Sequence, residues 1–321
     1  MPIQWFPGHM HSTKKAIVER IPDIDVVIEM LDARLPGSSA NPLLAELTQH
    51  KPGLKILNKQ DLADPDATEA WLAHYQAMPG TRAIALDAGD TAPARRLIAA
   101  CRELAPLRGG MVKPLRVLIC GIPNVGKSTL INTLVGQRKT RTGDEPGITK
   151  LEQKIVLADD FYLFDTPGML WPRIIVEESG YNLAASGGIG RNAYDEQEVA
   201  LELLARVREP YADRLAARYK LDAAQLDARQ TPVDALLLAI GRRRGGLKAG
   251  GQVDLQKAAE AVINDFRAGA WGRITLETPQ QFEQWLAAAQ QREAEREAER
   301  KAKRDRRSGK RRTAEDDADA S

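Results

Sequence analysis

The chain has 321 residues, of which 43% are apolar and 28% charged, and its formal net charge is only +2. These values are ordinary for a globular protein and exclude an intrinsically disordered chain. The two cysteines, Cys101 and Cys120, stand outside any CxxC or Cys/His pattern, so neither a disulfide framework nor a zinc site is predicted.

The N-terminal arm, residues 1–11, contains the stretch WFPGHM at 5–10. Because unanchored termini carry small and polar residues, the adjacent Trp5 and Phe6 indicate that this arm packs on the rest of the protein. It has neither a signal peptide nor a transit pattern, and no run approaches the ~20 apolar residues of a membrane helix. We therefore expect a cytoplasmic protein without a membrane partner.

The first half alternates short apolar runs with helical patterns. Strands are predicted at 25–31, 54–58, 82–86 and 115–121, helices at 41–49, 66–77 and 92–104, and a hairpin at 154–164. This alternation predicts a doubly wound α/β sheet with a Pro/Gly-rich linker at 105–114. Beyond residue 172 the spacing is helical only, at 195–209, 211–220, 232–241, 253–267 and 279–300.

GIPNVGKST at 121–129 matches the phosphate-binding pattern GxxxxGK[ST] and lies between a predicted strand and a predicted helix. Gly121 and Gly126 let backbone N–H groups face the phosphates, and Lys127 adds a positive charge. Ser128 is expected to place its hydroxyl on Mg²⁺. The neighbouring Asn124, Val125 and Thr129 complete the predicted nucleotide contacts.

NKQD at 58–61 follows the second predicted strand and is suited to recognising guanine. The Asp61 carboxylate can accept from both N1–H and the exocyclic amine of the base. Asn58 can bond the acceptor edge of the base and the local backbone, while the Lys59 stem covers the ring; Gln60 completes the motif. A phosphate loop together with this motif predicts GTP and GDP as ligands.

The order of these motifs is reversed relative to ordinary GTPases, in which the phosphate loop precedes NKxD. Here NKQD comes first, and DTPG at 165–168 follows the phosphate loop. The simplest explanation is a circular permutation, in which the sheet is opened after the DTPG strand and the old termini are joined by the linker at 105–114. Permutation at exposed sites is physically tolerable.

The chain resembles the circularly permuted GTPases of the ribosome biogenesis GTPase A family. The matching stretches are WFPGHM (5–10), DARLPGSSANP (32–42), NKQD (58–61), GIPNVGKST (121–129), PGIT (146–149), DTPGML (165–170) and DFRAGAWGRITLETP (265–279). The resemblance implies a permuted P-loop GTPase domain at 1–172, a helical ribosome-binding domain at 173–290 and a charged, disordered tail at 291–321.

The resemblance also implies roles for single residues. Thr149 is expected to ligate Mg²⁺ beside Ser128, and Asp165 to hold a magnesium-bound water. The Gly168 N–H is expected to sense the γ-phosphate. Leu86 and Asp87 fall where the family closes the guanine pocket, although the usual Ser-Ala-Lys is absent.

One departure from ordinary GTPases concerns the attacking water. The glutamine that commonly follows the DxxG glycine and orients this water is replaced by Met169, whose thioether cannot do so. His9 follows a Pro-Gly turn and, by resemblance, takes part in hydrolysis. The other interpretation of His9 is packing or an RNA contact by the arm.

Asn124 also has two interpretations. An asparagine at this position in some GTPases helps to hold K⁺ near the β- and γ-phosphates, where positive charge stabilises the transition state. Asparagine also suits tight turns without any ion.

The charged tail carries eight basic residues and one acid between Lys301 and Arg312, and GRRRGGLK at 241–248 is a second basic stretch. Such runs indicate RNA backbone contact, or else a solvated tail. The resemblance names the large ribosomal subunit or its precursor, with its rRNA, as partner; we expect a monomer that does not bind DNA. The alternative functions are an RNA-binding module that scarcely hydrolyses GTP, and an ATPase or nucleotide kinase, which NKQD disfavours.

Overall fold

The computed structural model describes residues 3–89, 93–109, 113–136, 153–244 and 252–319. Within them the strands are β1 Val26–Asp32, β2 Gly53–Asn58, β3 Thr81–Leu86, β4 Leu115–Gly121, β5 Gln153–Ala158 and β6 Phe161–Asp165. They form one sheet in the order β3-β2-β1-β4-β6-β5, parallel except for the β5–β6 hairpin. The predicted mixed α/β sheet is confirmed, and the strand that leads into the phosphate loop lies at its centre.

Helices cover both faces of the sheet and make up the second half. Their bounds are α1 His9–Arg20, α2 Pro36–Ser39, α3 Pro42–Thr48, α4 Pro65–Gln76, α5 Pro93–Leu104, α6 Lys127–Val135, α7 Glu177–Ser186, α8 Glu196–Val207, α9 Ala212–Tyr219, α10 Ala223–Leu226, α11 Val233–Arg243, α12 Leu255–Arg267 and α13 Pro279–Asp319. No helix in the described ranges is long and apolar enough to cross a membrane.

Several helices begin where the sequence supplies a side-chain cap. Asn41 and Asp64 each stand before a proline and accept hydrogen bonds from the first amides of α3 and α4. Asp195 and Asp254 cap α8 and α12 in the same way. These caps satisfy amides that have no partner within the helix and so fix where each helix starts.

Apart from the four-residue helices α2 and α10, two helices differ from the sequence-based expectation. The predicted arm at 1–11 is extended only as far as Gly8, and α1 begins at His9 because Met10, Thr13 and Ile17 bury one face. Helix α7 was not predicted because its sequence, EESGYNLAAS, contains Gly, Asn and Ser and only one large aliphatic side chain, so it shows no apolar period. It is buried along nearly its whole length, and the lack of a side chain at Gly180 lets Ile3 approach closely.

The two halves share the larger of two apolar clusters. Leu118 of the sheet, Leu183 of α7 and Phe266 of α12 belong to the same contiguous cluster of buried side chains. The segment after α12 also returns to the first half, where the Leu276 N–H donates to the Arg34 carbonyl at 2.7 Å. The boundary expected at residue 172 therefore separates patterns of secondary structure but not separate cores.

The charged segment from residue 291, expected to be a solvated helix that frays into a disordered tail, continues α13 as far as Asp319 in this structure. Phe282 and Ala289 hold the start of the helix against the body of the protein. Beyond them the sequence is rich in Ala, Glu, Lys and Arg, which are strong helix formers, and opposite charges recur at helical spacing.

Candidate functional site

Four strands bring polar groups to the same end of the sheet, where their carboxyl ends lie. Asp32 ends β1 opposite Asn58 at the end of β2, and Asp165 ends β6 beside β4, which runs into the phosphate loop at Gly121. The carboxyl ends of parallel strands are where doubly wound sheets bind ligands. The predicted site residues on these strands therefore share one edge.

The phosphate loop has the backbone conformation that its glycines allow. Gly121 and Gly126 have φ values of +153° and +102°, and Asn124 is left-handed at +57°. A Cβ on Gly121 would lie 2.6 Å from the Met30 carbonyl oxygen. The Lys127 ammonium donates to the Gly121 and Ile122 carbonyls at 3.1 Å each, which holds it within the loop.

Asp165 and Lys127 are both buried at the base of this loop. Burial raises the pKa of Asp165 to about 6, and the attraction of Lys127 opposes this only in part. Burial likewise lowers the pKa of Lys127. Neither Asp165 oxygen has a hydrogen-bond partner among the described residues.

An unpartnered buried carboxylate beside a phosphate loop fits a Mg²⁺ site. Mg²⁺ in nucleotide sites takes one or two protein carboxylates, several waters and phosphate oxygens rather than a cage of protein ligands. The described part of the chain holds no cluster of three or more His, Cys, Asp or Glu. Asp165 therefore suits a cation that is shared with a nucleotide.

The segment after Asp165 lies directly against the phosphate loop. A Cβ on Gly168 would come within 2.7 Å of the Pro123 Cα, so only glycine fits there without movement. The Met169 N–H donates to the Gly121 carbonyl at 3.1 Å, and its carbonyl accepts from the Asn41 amide at 2.8 Å. The Met169 side chain is buried in the core, away from any water that could attack a phosphate.

Asn58 joins three parts of the site. Its Nδ2 donates to the Val125 carbonyl at 2.7 Å, and its Oδ1 accepts from the Ala88 N–H at 2.8 Å. A Cβ on Gly126 would lie 2.2 Å from the same Nδ2. Both polar ends of Asn58 are thus used within the protein, and this buried side chain ties the phosphate loop to the loop after β3.

Lys59 is held by a buried ion-pair network. Its ammonium lies 2.8 Å from Asp32 Oδ2 and donates to the Asn124 carbonyl at 3.1 Å. Asp32 also binds Arg34 through two hydrogen bonds, of 2.9 and 2.8 Å. Burial raises the pKa of Asp32, but Arg34 and Lys59 outweigh it and hold that pKa well below its usual range.

The remaining base-recognition residues differ in exposure. Gln60 and Asp61 lie in a short 3-10 helix after β2, with Asp61 exposed at the same edge of the sheet. Leu86, predicted to close the pocket, is buried in the core, and Asp87 bonds the Gly89 N–H at 2.9 Å. Ala88 joins this loop to Asn58.

Ser128 and Thr129 occupy the first turn of α6, where Ser128 is half-buried and Thr129 exposed. Thr149 lies outside the described residues. Ser128 is thus at the helix N-terminus that follows the phosphate loop, a position where the helix dipole favours an anion.

The N-terminal arm lies along the segment that follows DTPG. The Gln4 amide exchanges two hydrogen bonds with the Ile174 backbone, at 2.8 and 2.9 Å, and Trp5 contacts Gly190. The Met10 sulfur lies 3.5 Å from the Leu170 nitrogen. His9 is therefore next to a residue that touches this segment, and its own side chain is exposed.

The site is also connected to the helical half. The Asn124 amide in the phosphate loop donates to the Gly187 carbonyl, just after α7, at 2.9 Å. Arg267 of α12 donates to the Ala184 and Ala185 carbonyls at 2.8 Å each. The C-terminal end of α7 is thus held between the phosphate loop and α12.

Comparisons with known proteins identify the arrangement. A family model described as "50S ribosome-binding GTPase" matches residues 116–234. "Ribosome biogenesis GTPase A" of Bacillus cereus is 40% identical over 289 residues, which cover 88% of this chain and 96% of that protein. The chain belongs to the ribosome biogenesis GTPase A family.

More distant members agree with this assignment. The "Mitochondrial ribosome-associated GTPase 1" of Xenopus tropicalis is 32% identical over 292 residues, covering 85% of this chain and 94% of the relative. The solved structure of GNP-bound YlqF from T. maritima has a TM-score of 0.60 at 25% identity, over 84% of this chain and 99% of that one.

Membership in this family makes the protein a GTP-binding GTP hydrolase of ribosome biogenesis. The sequence did not single out Asp32, Arg34, Ala88 and Gly187 as parts of the site. Asp32 ends a strand at the carboxyl edge of the sheet, which was a usable signal. Ala88 and Gly187 take part through backbone atoms, which leave no trace in the residue type.

Proposed function

We propose that this GTPase acts on the large ribosomal subunit or its precursor, contacts ribosomal RNA, and uses bound GTP to hold the conformation that the particle recognises. The match to a 50S ribosome-binding GTPase model supports the choice of subunit. The proposed switch rests on two contacts of the phosphate loop. Gly168, which precedes α7 in the chain, lies against the loop, and Asn124 in the loop binds the Gly187 carbonyl just after α7.

The proposed nucleotide contacts are supported by the position of these residues at the carboxyl end of the sheet and by the family resemblance. Lys127 neutralises charge on the phosphates, and the Gly168 N–H senses the γ-phosphate. Asp61 accepts from the guanine edge, while Lys59, held by Asp32, lies along the base. Ser128, Thr149 and Asp165 would hold Mg²⁺, which supplies positive charge to the phosphoryl group during transfer.

His9 is proposed as the group that orients the attacking water. Met169 cannot fill this role because its side chain is buried and lacks a polar hydrogen-bonding group of sufficient strength. His9 is exposed and adjacent to Met10, which touches the segment after Gly168. An imidazole can both donate and accept a hydrogen bond, as this task requires.

A K⁺ ion near the phosphates is a further proposal for Asn124. The hydrogen bond to Gly187 fixes the Asn124 side chain by its nitrogen, and the amide oxygen is the atom that K⁺ would use. GTP hydrolysis measured in K⁺ and in Na⁺ at equal ionic strength tests this. Equal rates contradict a potassium site and leave Asn124 as a turn and connecting residue.

Co-sedimentation tests the proposed partner. The full chain is mixed with purified large subunits or their precursors in the presence of a non-hydrolysable GTP analogue, GDP or no nucleotide. We expect the analogue to give the strongest binding, and Lys127→Ala to remove the dependence on nucleotide. Absence of binding in every nucleotide state contradicts the proposal.

Release of phosphate in the same mixtures separates the two functions left open by the sequence. A switch that the particle triggers releases phosphate faster when large subunits are added. An RNA-binding module that scarcely hydrolyses GTP binds the particles but shows no such stimulation.

A further inference from the structure

A cleft lined by cations and aromatic rings lies beside the end of α1. It has a volume of about 460 Å³, and its lining residues are Arg20, Asp23, Arg116, Lys154, Tyr162 and Phe164. Arg116 and Tyr162 face each other across the β4–β6 pair, and Lys154 pairs with Phe164 across β5–β6. The cleft therefore crosses three neighbouring strands.

The cleft is separate from the nucleotide site. Arg116 and Tyr162 are each the second residue of their strand, whereas the phosphate loop starts at the carboxyl end of β4 and Asp165 is the last residue of β6. The function proposed above therefore makes no use of these side chains.

The charges in the cleft suit a polyanion. Among the described residues, three cations and a single acid, Asp23, line the cleft. Asp23 lies 3.7 Å from Arg20 and 3.6 Å from Arg116, and the two guanidinium groups keep 35% and 45% of their side-chain area exposed. Because both arginines lie near the same carboxylate, their guanidinium groups are close together, and two neighbouring cations suit the phosphates of a nucleic-acid backbone.

The aromatic rings supply a second kind of contact. The Lys154 ammonium lies 4.0 Å from the centroid of the half-buried Tyr162 ring, and the Arg20 guanidinium lies 4.9 Å from that of Phe164. Phe164 is buried beneath Arg20, so Tyr162 is the ring that a base can reach. Stacking of a base on an exposed ring is stronger than a solvated contact between an ammonium and a ring, so a base can displace Lys154 towards a phosphate.

We propose that this cleft binds single-stranded RNA, with one base stacked on Tyr162 and the adjoining phosphates neutralised by Arg20, Arg116 and Lys154. The inference rests on the proposed ribosomal function and gives its RNA contact a location within the GTPase half. Paired bases are already stacked on each other, so double-stranded RNA does not fit the aromatic part of the site. An acidic peptide would use the cations but gain nothing from the ring.

Fluorescence anisotropy with the full chain and a labelled single-stranded RNA of about ten nucleotides tests the site. Tyr162→Leu keeps apolar bulk but removes the aromatic ring, and we expect it to weaken binding about tenfold. Tyr162→Phe keeps the ring and should bind within about twofold of the parent. The basic α13 is the same in every variant, so a difference in affinity between variants reports on the cleft.

The charged part of the site has its own test and control. Arg116→Gln should lower the slope of log affinity against log salt by about 0.7, the value for one phosphate contact on a single strand. Arg82→Gln is the matched control, because Arg82 is similarly exposed on β3, the outer strand on the opposite side of the sheet from β5. GDP affinity and melting temperature measured for each variant show that the fold is retained.

Equal affinity of Tyr162→Leu and the parent overturns the proposal, as does equal loss with Arg82→Gln and Arg116→Gln. Equal affinity of the parent for double-stranded RNA, or stronger competition by an acidic peptide than by RNA, also overturns it. If the parent binds large subunits but the Tyr162 and Arg116 variants behave as the parent in the RNA assay, only this site fails. If the parent does not bind large subunits at all, the proposed function fails.

Discussion

The ends of β1 and β6 each carry a buried aspartate at the same edge of the sheet, yet their surroundings are opposite. Asp32 binds Arg34 and Lys59 and keeps a pKa well below its usual range. Asp165 has no hydrogen-bond partner in the described residues, and burial raises its pKa to about 6. A carboxylate with partners stabilises the structure of the site. One without partners suits a cation that binds together with the nucleotide.

This contrast predicts the largest loss of stability at Asp32. Asp32→Asn leaves the buried Arg34 and the half-buried Lys59 without their counter-charge and should lower the free energy of unfolding by about 3–5 kcal/mol. Urea denaturation at pH 7.5 measures this change. Glu103→Gln is the control, since its pair with Arg82 is exposed and should contribute less than about 1 kcal/mol.

The pH dependence has a definite sign at Asp32. Its pKa is lower in the folded chain than the ordinary 3.8, so its stabilising effect is complete above that value and is lost as the pH falls further. The parent and Asp32→Asn should therefore converge in stability only in strong acid. A difference that is already lost at pH 5 contradicts the ion-pair assignment.

Asp165 should behave in the opposite way. Asp165→Asn should raise the free energy of unfolding of the nucleotide-free protein by about 3 kcal/mol at pH 8. The rise of the Asp165 pKa from 3.8 to about 6 corresponds to that energy. The pKa on which this rests already includes the attraction of Lys127. Melting temperatures measured with EDTA at pH 8 and pH 5 test the prediction.

The sign follows from proton binding at Asp165. Between pH 3.8 and about 6 the folded parent binds more protons than the unfolded chain, so its stability falls as the pH rises. The advantage of Asp165→Asn should therefore shrink as the pH drops through 6. The same variant should lose Mg²⁺-dependent GTP hydrolysis, and a variant that is destabilised at pH 8 contradicts the contrast with Asp32.

Asn58, at the end of β2, extends the comparison to an uncharged residue that connects the phosphate loop with the loop after β3. Asn58→Ala leaves the buried Val125 carbonyl and Ala88 N–H without partners, and should cost about 2 kcal/mol of stability with weaker GDP binding. Isothermal titration and denaturation measure both. Asn264→Ala, at an exposed position of α12, is the control and should change neither.

The smallest effect on stability is expected at His9, whose side chain is exposed. His9→Ala should change the free energy of unfolding by less than about 0.5 kcal/mol. It should lower ribosome-stimulated GTP turnover on the order of 10²-fold without changing GTP affinity. His11→Ala is the matched control and should leave turnover unchanged, because His11 is also exposed and lies edge-on against Phe6. Equal turnover of His9→Ala and the parent contradicts the proposal.

The secondary structure of the first half was largely predictable because buried strands leave apolar runs and phosphate loops leave a fixed spacing. Helices α1 and α7 were not, for different reasons. In α1 only Met10, Thr13 and Ile17 mark the buried face, and in α7 small residues replace the usual apolar ones. Tertiary contacts stabilise both helices: Met10 of α1 lies against Leu170, and α7 packs against α2, α8 and α12. Local propensity does not record such contacts.

The sequence by itself determined the sheet, the motifs at its carboxyl edge and their permuted order, because each depends on residue type at short spacing. Only the tertiary structure decided which of these residues face each other. It placed both ends of the Asn58 amide in hydrogen bonds within the protein and paired Lys59 with Asp32. It left Asp165 without a hydrogen-bond partner among the described residues. These outcomes depend on contacts between strands far apart in the chain. Burial makes the interaction energy of an ion pair or of an amide hydrogen bond, and the cost of an unpaired charge, several times larger than in water.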